Sequence, residues 1–377
     1  MAGGAQRRVA GPGGGCDRAS AVNRALAAGL ALLAGSAPVP PAHDVALHLV
    51  GTYQIGQADG FGGISGIDYD ARRDEWLLAT DDRGEHGPAR YWRARIGYDD
   101  VGVTTADIGA ATPWRQQGGG AYAARSQPGL VADIEALRID PLDGTLWYAS
   151  EGDRAARIPS FIHHASRDGA YLGEAPLPQR LRIQPDCACG GRSNVGPEGL
   201  AFTPDGGALW VAMEGPLIED GPLPDATHGA LARLTLMSRA GTVLAQYAYP
   251  LDPVPGGAGP ADNGISEILA LDAQRLLVLE RSGRRAGGGF VFDTRLYVVD
   301  VAGAQPVPAD APLDPGKARP LGKWPVTGYL VPSGWQDNYE AMAWGPRLAD
   351  GRRTLVVASD NNFTGAPTRL LMFVLAN

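Results

Sequence analysis

The chain has 377 residues, a formal net charge of −8, 53 glycines and 30 prolines. This acidity argues against nucleic acid as a partner, because nucleic-acid-binding surfaces gather Lys and Arg against the phosphates. The length permits one large domain or two ordinary ones, and the glycines and prolines fall between short apolar runs, where turns require them.

The first 42 residues have the composition of an export segment. Four arginines precede a short apolar run over 25–34, and the small residues 35–37 then offer a cleavage point. A run of this length is too short to span a bilayer. We therefore expect 1–42 to be a signal peptide without a transmembrane anchor, and 43–377 to form a domain exported to the periplasm or the medium. The alternative is a disordered tail rich in Ala and Gly.

Downstream of this segment, one pattern recurs five times. An acidic or hydroxyl residue, a short apolar run, a turn and a second apolar run lead to another acidic residue. A third apolar run follows each copy, and a fourth is clearest at 241–250. The runs are rich in Val, Leu, Tyr and Trp and are bounded by turn residues, as strands are. The copies span 65–81, 135–151, 198–214, 267–280 and 340–360.

Four antiparallel strands in each repeat are typical of a propeller blade. The sequence therefore predicts an all-β fold, a single five-bladed β-propeller with four-stranded blades over about 45–377. The last blade lacks a fourth strand, and 45–55 is a strand without a blade, so we expect the N-terminal strand to close the last blade and leave no open edge. The alternative is a six-bladed ring with the extra blade in 300–335.

A hairpin returns to its starting end, so both acids of every copy are expected at one end of the ring, here called the top face. The first residues of the copies should surround the central channel: Ser65, Glu135, Glu198, Glu267 and Glu340. The second acids should lie just outside them: Asp81, Glu151, Glu214, Glu280 and Asp360. The arginines that introduce the third runs should start at the same face: Arg90, Arg157, Arg233, Arg295 and Arg369.

So many carboxylates at one place would repel one another and raise each other's pKa. Arginines, backbone amides or a divalent cation are the candidates to balance them, and Ca²⁺ suits such a set because it takes several oxygens in loose geometry. Repeated acids are equally candidates for architecture that ties one blade to the next. The predicted calcium ligands are Glu198, Glu267, Glu340, Asp81 and Asp360.

Positions that break the repeat are the better candidates for function. Blade one carries a doubled acid before Arg83, and blade five carries two asparagines after Asp360. Nucleophile motifs are missing, so a hydrolase would use metal-activated water. The top-face loops carry His86 and His228, each a candidate acid or base. We assign catalysis to Glu135, Glu198, Asp82 and His86, and substrate binding to Arg83, Arg157, Arg233, Arg295 and Asn361.

Cys187 and Cys189 are two residues apart in one loop. In an exported chain they are candidates for a local disulfide, and the alternative is a pair of unlinked thiols. No further zinc ligands are evident nearby.

Read in order, these motifs resemble the phytase-like family described as having esterase-like activity of phytase. The resemblance rests on GGISGIDYD with ATDDRG, DIEALRID with YASEGD, NVGPEGLAF with WVAMEGPL, GISEILAL with LVLERSG, and NYEAMAW with VVASDNNF, across 48–375. It implies an exported bacterial propeller that hydrolyses phosphoesters or carboxylic esters. The matching acids are Glu135, Glu198, Glu267, Glu340, Asp81, Asp82 and Asp360, and the CACGG loop is a departure from the family.

The sequence therefore leaves three candidate functions. The first is a metal-dependent hydrolase acting on an anionic or esterified small molecule. The second is a non-catalytic propeller that binds a ligand or a protein on the same face. The third is a lactonase-type hydrolase of sugar acids. In each case we expect a monomer.

Overall fold

The computed structural model describes residues 44–256 and 261–376, so the predicted export segment lies outside the described residues. Five four-stranded antiparallel sheets form a five-bladed β-propeller, which confirms the predicted fold. The described part of the chain contains no helix long and apolar enough to cross a membrane.

The strands follow the chain order of the repeats. Blade one holds β2 (Ile64–Asp70), β3 (Glu75–Thr80), β4 (Arg90–Asp99) and β5 (Gly102–Pro113). Blade two holds β6 (Ile134–Ile139), β7 (Leu146–Ser150), β8 (Phe161–Ala165) and β9 (Tyr171–Glu174). Blade three holds β12 (Pro197–Phe202), β13 (Ala208–Met213), β14 (Ala230–Ser238) and β15 (Val243–Leu251).

Blade four holds β16 (Ala261–Ala270), β17 (Arg275–Ala286), β18 (Gly289–Asp300) and β19 (Lys323–Pro325). Blade five holds β20 (Asn338–Arg347), β21 (Arg353–Asp360), β22 (Thr368–Leu375) and, from the other end of the chain, β1 (Leu47–Ile55). A small ribbon, β10 (Ile183–Gln184) with β11 (Cys189–Gly190), and two 3-10 turns, Gln179–Leu181 and Ile218–Asp220, decorate the connections.

The ring is closed as the sequence predicted. β1 pairs antiparallel with β22 and supplies the fourth strand of blade five. The innermost strands contact one another in the cyclic order β2, β6, β12, β16 and β20. The six-bladed alternative is wrong, because the irregular stretch 300–335 contributes β19 to blade four and forms no sheet of its own.

Apolar side chains fill the wedges between blades. Trp76 of β3, Val356 of β21 and Met372 of β22 share one core between the first and fifth blades. The side chains on the two faces of each strand pack against different neighbouring blades, so the strands read as nearly continuous apolar runs. Burial of this kind, at about 25 cal/mol per Å², makes the ring a rigid support for the top-face residues.

One buried arginine crosses the central channel. Arg138 lies three residues after Glu135 on β6 and is 4% exposed. It donates to the carbonyl oxygens of Ile67 on β2 at 2.9 Å and Ile268 on β16 at 3.0 Å. Its Nη2 is also 2.7 Å from Oε2 of Glu267. The ion pair therefore ties opposite sides of the ring together.

We expect Arg138→Met to lower the free energy of unfolding by about 3–5 kcal/mol, because it removes the ion-pair partner of the buried Glu267 and the donor to the carbonyl oxygens of Ile67 and Ile268. Denaturant unfolding at neutral pH measures the loss. Arg138→Met combined with Glu267→Gln should recover part of it, and Arg95→Met, at an exposed position of β4, should change it little. A single-variant loss no larger than that of the Arg95 control would contradict this role.

Candidate functional site

The top face opens into a cavity of 710 Å³ at the mouth of the channel. It lies where the innermost strands begin and where the second strands return, as the hairpin argument requires. Two guanidinium groups line it, those of Arg83 and Arg281. Eight carboxylates line it too: Asp81, Glu135, Glu151, Glu198, Glu214, Asp262, Glu340 and Asp360.

A β-bulge presents the inner acids. The pairing of each innermost strand with its neighbour skips one residue, and that residue is Glu135, Glu198 and Glu340 in blades two, three and five. An extra residue in one strand kinks it and re-aims the side chain. The same position is Ser65 in blade one and Ser266 in blade four.

Blade four therefore departs from the predicted ring. Glu267 was expected among the inner acids, but the bulged residue is Ser266, and Glu267 pairs with Leu279. Glu280 was expected among the outer acids, but it pairs with Ile265. Neither carboxylate lines the cavity. The placement predicted for both residues is wrong, because the repeat in blade four is shifted by one residue at each strand.

The shift puts an arginine where the other blades have an outer acid. Nη2 of Arg281 is 3.3 Å from Oε1 of Glu214 and 3.1 Å from Oε1 of Glu340, and Nη1 is 3.1 Å from Oδ1 of Asp262. Burial disfavours its charge, but the carboxylates, Glu340 foremost, raise the pKa of Arg281 above its ordinary value. Arg281 is thus a fixed cation for one half of the cavity.

Arg83 serves the other half. Its Nε is 2.7 Å from Oδ2 of Asp133, and its Nη2 is 3.9 Å from Oε1 of Glu151. Nη2 also donates to Oδ1 of Asn194 at 3.0 Å. The prediction that Arg83 belongs to the site agrees with this position in the cavity wall.

Glycines make room for the outer acids between blades. A Cβ added to Gly196 would lie 2.3 Å from Cβ of Glu151, and one added to Gly264 would lie 2.4 Å from Cγ of Glu214. The Gly196 N–H also donates to Oε2 of Glu151 at 3.2 Å. A side chain at either glycine would displace a carboxylate from the cavity.

Two groups of buried carboxylates could hold a metal ion. One is Asp133, Glu135 and Glu151, and the other is Glu151, Glu198 and Glu214; within each, one oxygen per residue lies within 4.8 Å of the others. Glu151 belongs to both. Within the described chain, Oδ1 of Asp133 and Oδ1 of Asp81 are buried and have no hydrogen-bond partner.

Burial and mutual repulsion change the titration of these acids. Desolvation, followed by neighbouring carboxylates, raises the pKa of Glu135 and Glu198 well above the ordinary value. Burial raises the pKa of Asp360 to about 7 and that of Glu214 to about 8. Without a cation, part of the cluster therefore holds protons at neutral pH.

Several predicted residues lie beside the cavity rather than in it. Asp82 is buried against Arg90, with Oδ2 2.6 Å from Nη1, and accepts the backbone N–H of Glu85 at 2.8 Å. His86 stacks on Phe363 with ring centroids 4.1 Å apart. Both residues line a smaller pocket that shares Asp81, Arg83 and Asn362 with the main cavity. Asp82 caps a loop and does not line the main cavity, and its catalytic role stays a prediction.

Asn361 closes the ring rather than facing a substrate. Its Oδ1 accepts the N–H of Gly63 at 3.0 Å, and its Nδ2 donates to the carbonyl oxygen of Ala366 at 2.7 Å. It does not line the cavity, whereas its neighbour Asn362 does.

The third-strand arginines are engaged in ion pairs away from the cavity. Arg157 pairs with Asp186 at 2.8 Å on the surface, and the fully buried Arg233 pairs with Asp220 at 2.6 Å. Arg295 pairs with Asp252 at 3.1 Å. The predicted position of these three arginines at the site is therefore wrong, because each pairs with an acid that does not line the cavity.

Other expectations have mixed outcomes. Cys187 and Cys189 are joined by a disulfide, as one of the two alternatives held. His228 is exposed beside Asp225. Sequence reasoning missed Arg281 and the polar and aromatic side chains that complete the wall. Those lining residues are Asn194, Asp262, Asn263, Phe290, Phe292, Asn338 and Thr364.

Comparison with known proteins agrees with this architecture. A family model described as "Phytase-like: Esterase-like activity of phytase" matches residues 59–363. The chain belongs to the phytase-like family. The match spans all five innermost strands and every acid of the cavity. No curated protein matches this phytase-like chain.

Solved structures resemble the phytase-like chain only distantly. An endo-arabinase from Bacteroides thetaiotaomicron is 12% identical, with a TM-score of 0.45 over 86% of this chain and 98% of that protein. An endo-1,4-beta-xylanase from the same organism is 8% identical, with a TM-score of 0.41 over 84% and 96%. A putative oxidoreductase (glucose dehydrogenase) from Thermus thermophilus is 15% identical, with a TM-score of 0.36 over 84% and 85%. Likenesses this remote carry no argument about function.

We expect the phytase-like protein to lose stability in EDTA as the pH rises. The folded cavity keeps protons on Asp360 and Glu214 up to about 7 and 8, whereas the unfolded chain releases them near the ordinary values. The stabilisation is complete below the ordinary carboxyl pKa values. It is lost as the pH rises from there through the raised pKa values of the folded state, by up to about 1.4 kcal/mol per pH unit for each group.

Denaturant unfolding in EDTA, at pH values from the ordinary carboxyl pKa up to about 8, measures how steeply the free energy of unfolding falls with pH. Glu214→Gln should make this fall less steep, because one raised carboxyl is removed. Asp186→Asn is the control, since the surface pair with Arg157 holds the pKa of Asp186 below its usual range. A stability that is constant or increases with pH in EDTA would count against protonated carboxyls in the folded cavity.

Proposed function

We propose that this phytase-like protein is an exported hydrolase that cleaves a phosphoester or carboxylic ester of a small molecule in the top-face cavity, with Ca²⁺ bound there. One observation carries the proposal. Glu151 belongs to two buried groups of carboxylates, in a cavity where eight carboxylates face two guanidinium groups. The family's description supports ester hydrolysis.

The residues present fit a calcium ion. Ca²⁺ takes six to eight oxygen ligands in flexible geometry, and the unpartnered Oδ1 atoms of Asp133 and Asp81 are buried donors of that kind. Neither His nor Cys lines the described cavity, so the donor set disfavours zinc. Glu151 would bind the ion with Glu135 and Asp133 on one side, or with Glu198 and Glu214 on the other.

The protein side chains supply the remaining chemistry. A bound cation polarises an ester oxygen and lowers the pKa of a water molecule. Arg281 and Arg83 each carry donors that would hold anionic oxygens of the substrate. In the cavity without a cation, burial raises the pKa of Asp360 to about 7, and a carboxyl in that range can give a proton to a leaving oxygen at neutral pH.

Calcium binding can be tested by thermal stability. Titration of the EDTA-treated domain with Ca²⁺ should give a saturable rise in melting temperature, because a ligand at 100 times its Kd adds about 2.7 kcal/mol. Glu151→Gln should abolish the rise, since it weakens both groups at once. Glu85→Gln, an exposed carboxylate of the adjoining loop, is the matched control. An equal rise in the Glu151 variant would place any calcium elsewhere.

Hydrolysis is tested separately. With calcium present, we expect turnover of small phosphoesters or carboxylic esters that EDTA removes and that Glu198→Gln lowers by about 100-fold or more. Turnover that survives both changes would overturn metal-dependent hydrolysis at this cavity. Calcium binding without turnover of any ester would favour the alternative of a ligand-binding propeller.

A further inference from the structure

Blade four rises above the others beside the cavity. β17 and β18 remain paired from Arg275–Asp300 to Ala286–Gly289, and β16 pairs along the same extension from Ala261 to Arg284. In the other blades, the second strand ends at the outer acid or just before it. The extension, Gly283–Phe292, thus forms a wall that only this blade provides among the described residues.

Two phenylalanines face the cavity from this wall. Phe290 and Phe292 alternate along β18, their ring centroids lie 6.1 Å apart, and both line the cavity. Phe290 is 53% exposed, and no other Phe, Tyr or Trp among the described residues is as open to solvent. A pair of adjacent phenylalanines that lines a cleft indicates a surface that binds an apolar group.

The two phenylalanines lie next to the charged residues of the cavity. A Cβ on Gly283 would lie 2.9 Å from Oδ1 of Asp262 and 3.2 Å from Cε1 of Phe292, so the ring lies beside that carboxylate. Asp262 in turn pairs with Arg281. A molecule whose anionic or ester group reaches Arg281 would therefore have its adjoining part against Phe292 and Phe290.

We propose that Phe290 and Phe292 form a subsite for an aryl group, so that the preferred substrate is an aryl-bearing monoester rather than a polyanion. This proposal rests on the proposed function. Leu223, which is 44% exposed, adds apolar surface to the same cavity. Phenylalanine offers no hydrogen-bond partner to a sugar hydroxyl, and the excess of carboxylates would repel a substrate with many phosphates.

The test compares phenyl phosphate with methyl phosphate, and phenyl acetate with methyl acetate, with calcium present. In hydrolysis, the oxygen of water bonds to phosphorus or to the acyl carbon, the ester bond breaks, and phenol or methanol leaves with a proton. Phe290→Ala combined with Phe292→Ala should lower kcat/KM for the phenyl ester by about tenfold and that for the methyl ester by no more than about twofold. Equal losses for the two esters would overturn the subsite.

Val291→Ala is the matched control. Val291 lies between the two rings on β18, is 40% exposed and does not line the cavity. It should leave the preference for phenyl over methyl esters unchanged. If Val291→Ala lost as much of the preference for phenyl esters as the double phenylalanine variant, the effect would come from a change in the conformation of the hairpin and not from contact with the rings. That result would also overturn the proposal.

A binding measurement separates this proposal from hydrolysis. If none of the four esters is turned over, the proposed function fails, and titration calorimetry with phenylphosphonate and methylphosphonate tests the subsite alone. Tighter binding of phenylphosphonate that is lost in the double phenylalanine variant would support an aryl site on a binding propeller. Equal affinity of the two phosphonates, or an unchanged preference in the variant, would remove the aryl site.

Discussion

The repulsion among buried carboxylates at the mouth of the channel is the constraint on which the rest of the site depends. A carboxylate taken out of water is costly, and each neighbour of like charge raises the cost. The fold assembles the acids because every blade begins and returns at the same face. It must therefore also supply protons, guanidinium groups or a metal ion to balance them.

The ring can impose this arrangement because its parts are fixed independently of the acids. β1 closes the sheet of blade five, apolar wedges lock neighbouring blades, and Arg138 joins carbonyl groups across the channel. Strained or charged groups persist where the surrounding structure over-determines their positions. The bulges that aim Glu135, Glu198 and Glu340 into the cavity are such positions.

The fold could be predicted from the sequence because its information is periodic. Few topologies are compatible with five similar hairpins, a last repeat that lacks its fourth strand and a first strand that belongs to no repeat. The site was predicted less well, because it depends on the departures from the repeat. A shift of one residue replaces Glu267 by Ser266 at the bulge and Glu280 by Arg281 at the outer position, and a one-residue slip sends side chains to the other face of a strand.

Long-range pairing explains the other differences. The sequence shows that arginines introduce third strands, but not that Arg233 lies against Asp220 or Arg157 against Asp186. The sequence places Asp82 in a top-face loop, but it does not show that Arg90 folds back onto Asp82. The repeat pattern does not single out Phe290 and Phe292, because nothing in the local sequence tells how far a hairpin projects beyond its neighbours.

The two guanidinium groups divide the cavity unequally, and this asymmetry locates the place for a cation. Arg281 is within 3.3 Å of Glu214 and within 3.1 Å of both Glu340 and Asp262, so that side carries a fixed positive charge. Arg83 reaches Asp133 closely but Glu151 only at 3.9 Å, and Oδ1 of Asp133 is left without a partner among the described residues. The deficit of positive charge is therefore greatest around Glu151, so an exchangeable cation would balance the acids there, while Arg281 balances Glu214, Glu340 and Asp262 on the side of the cavity next to Phe292.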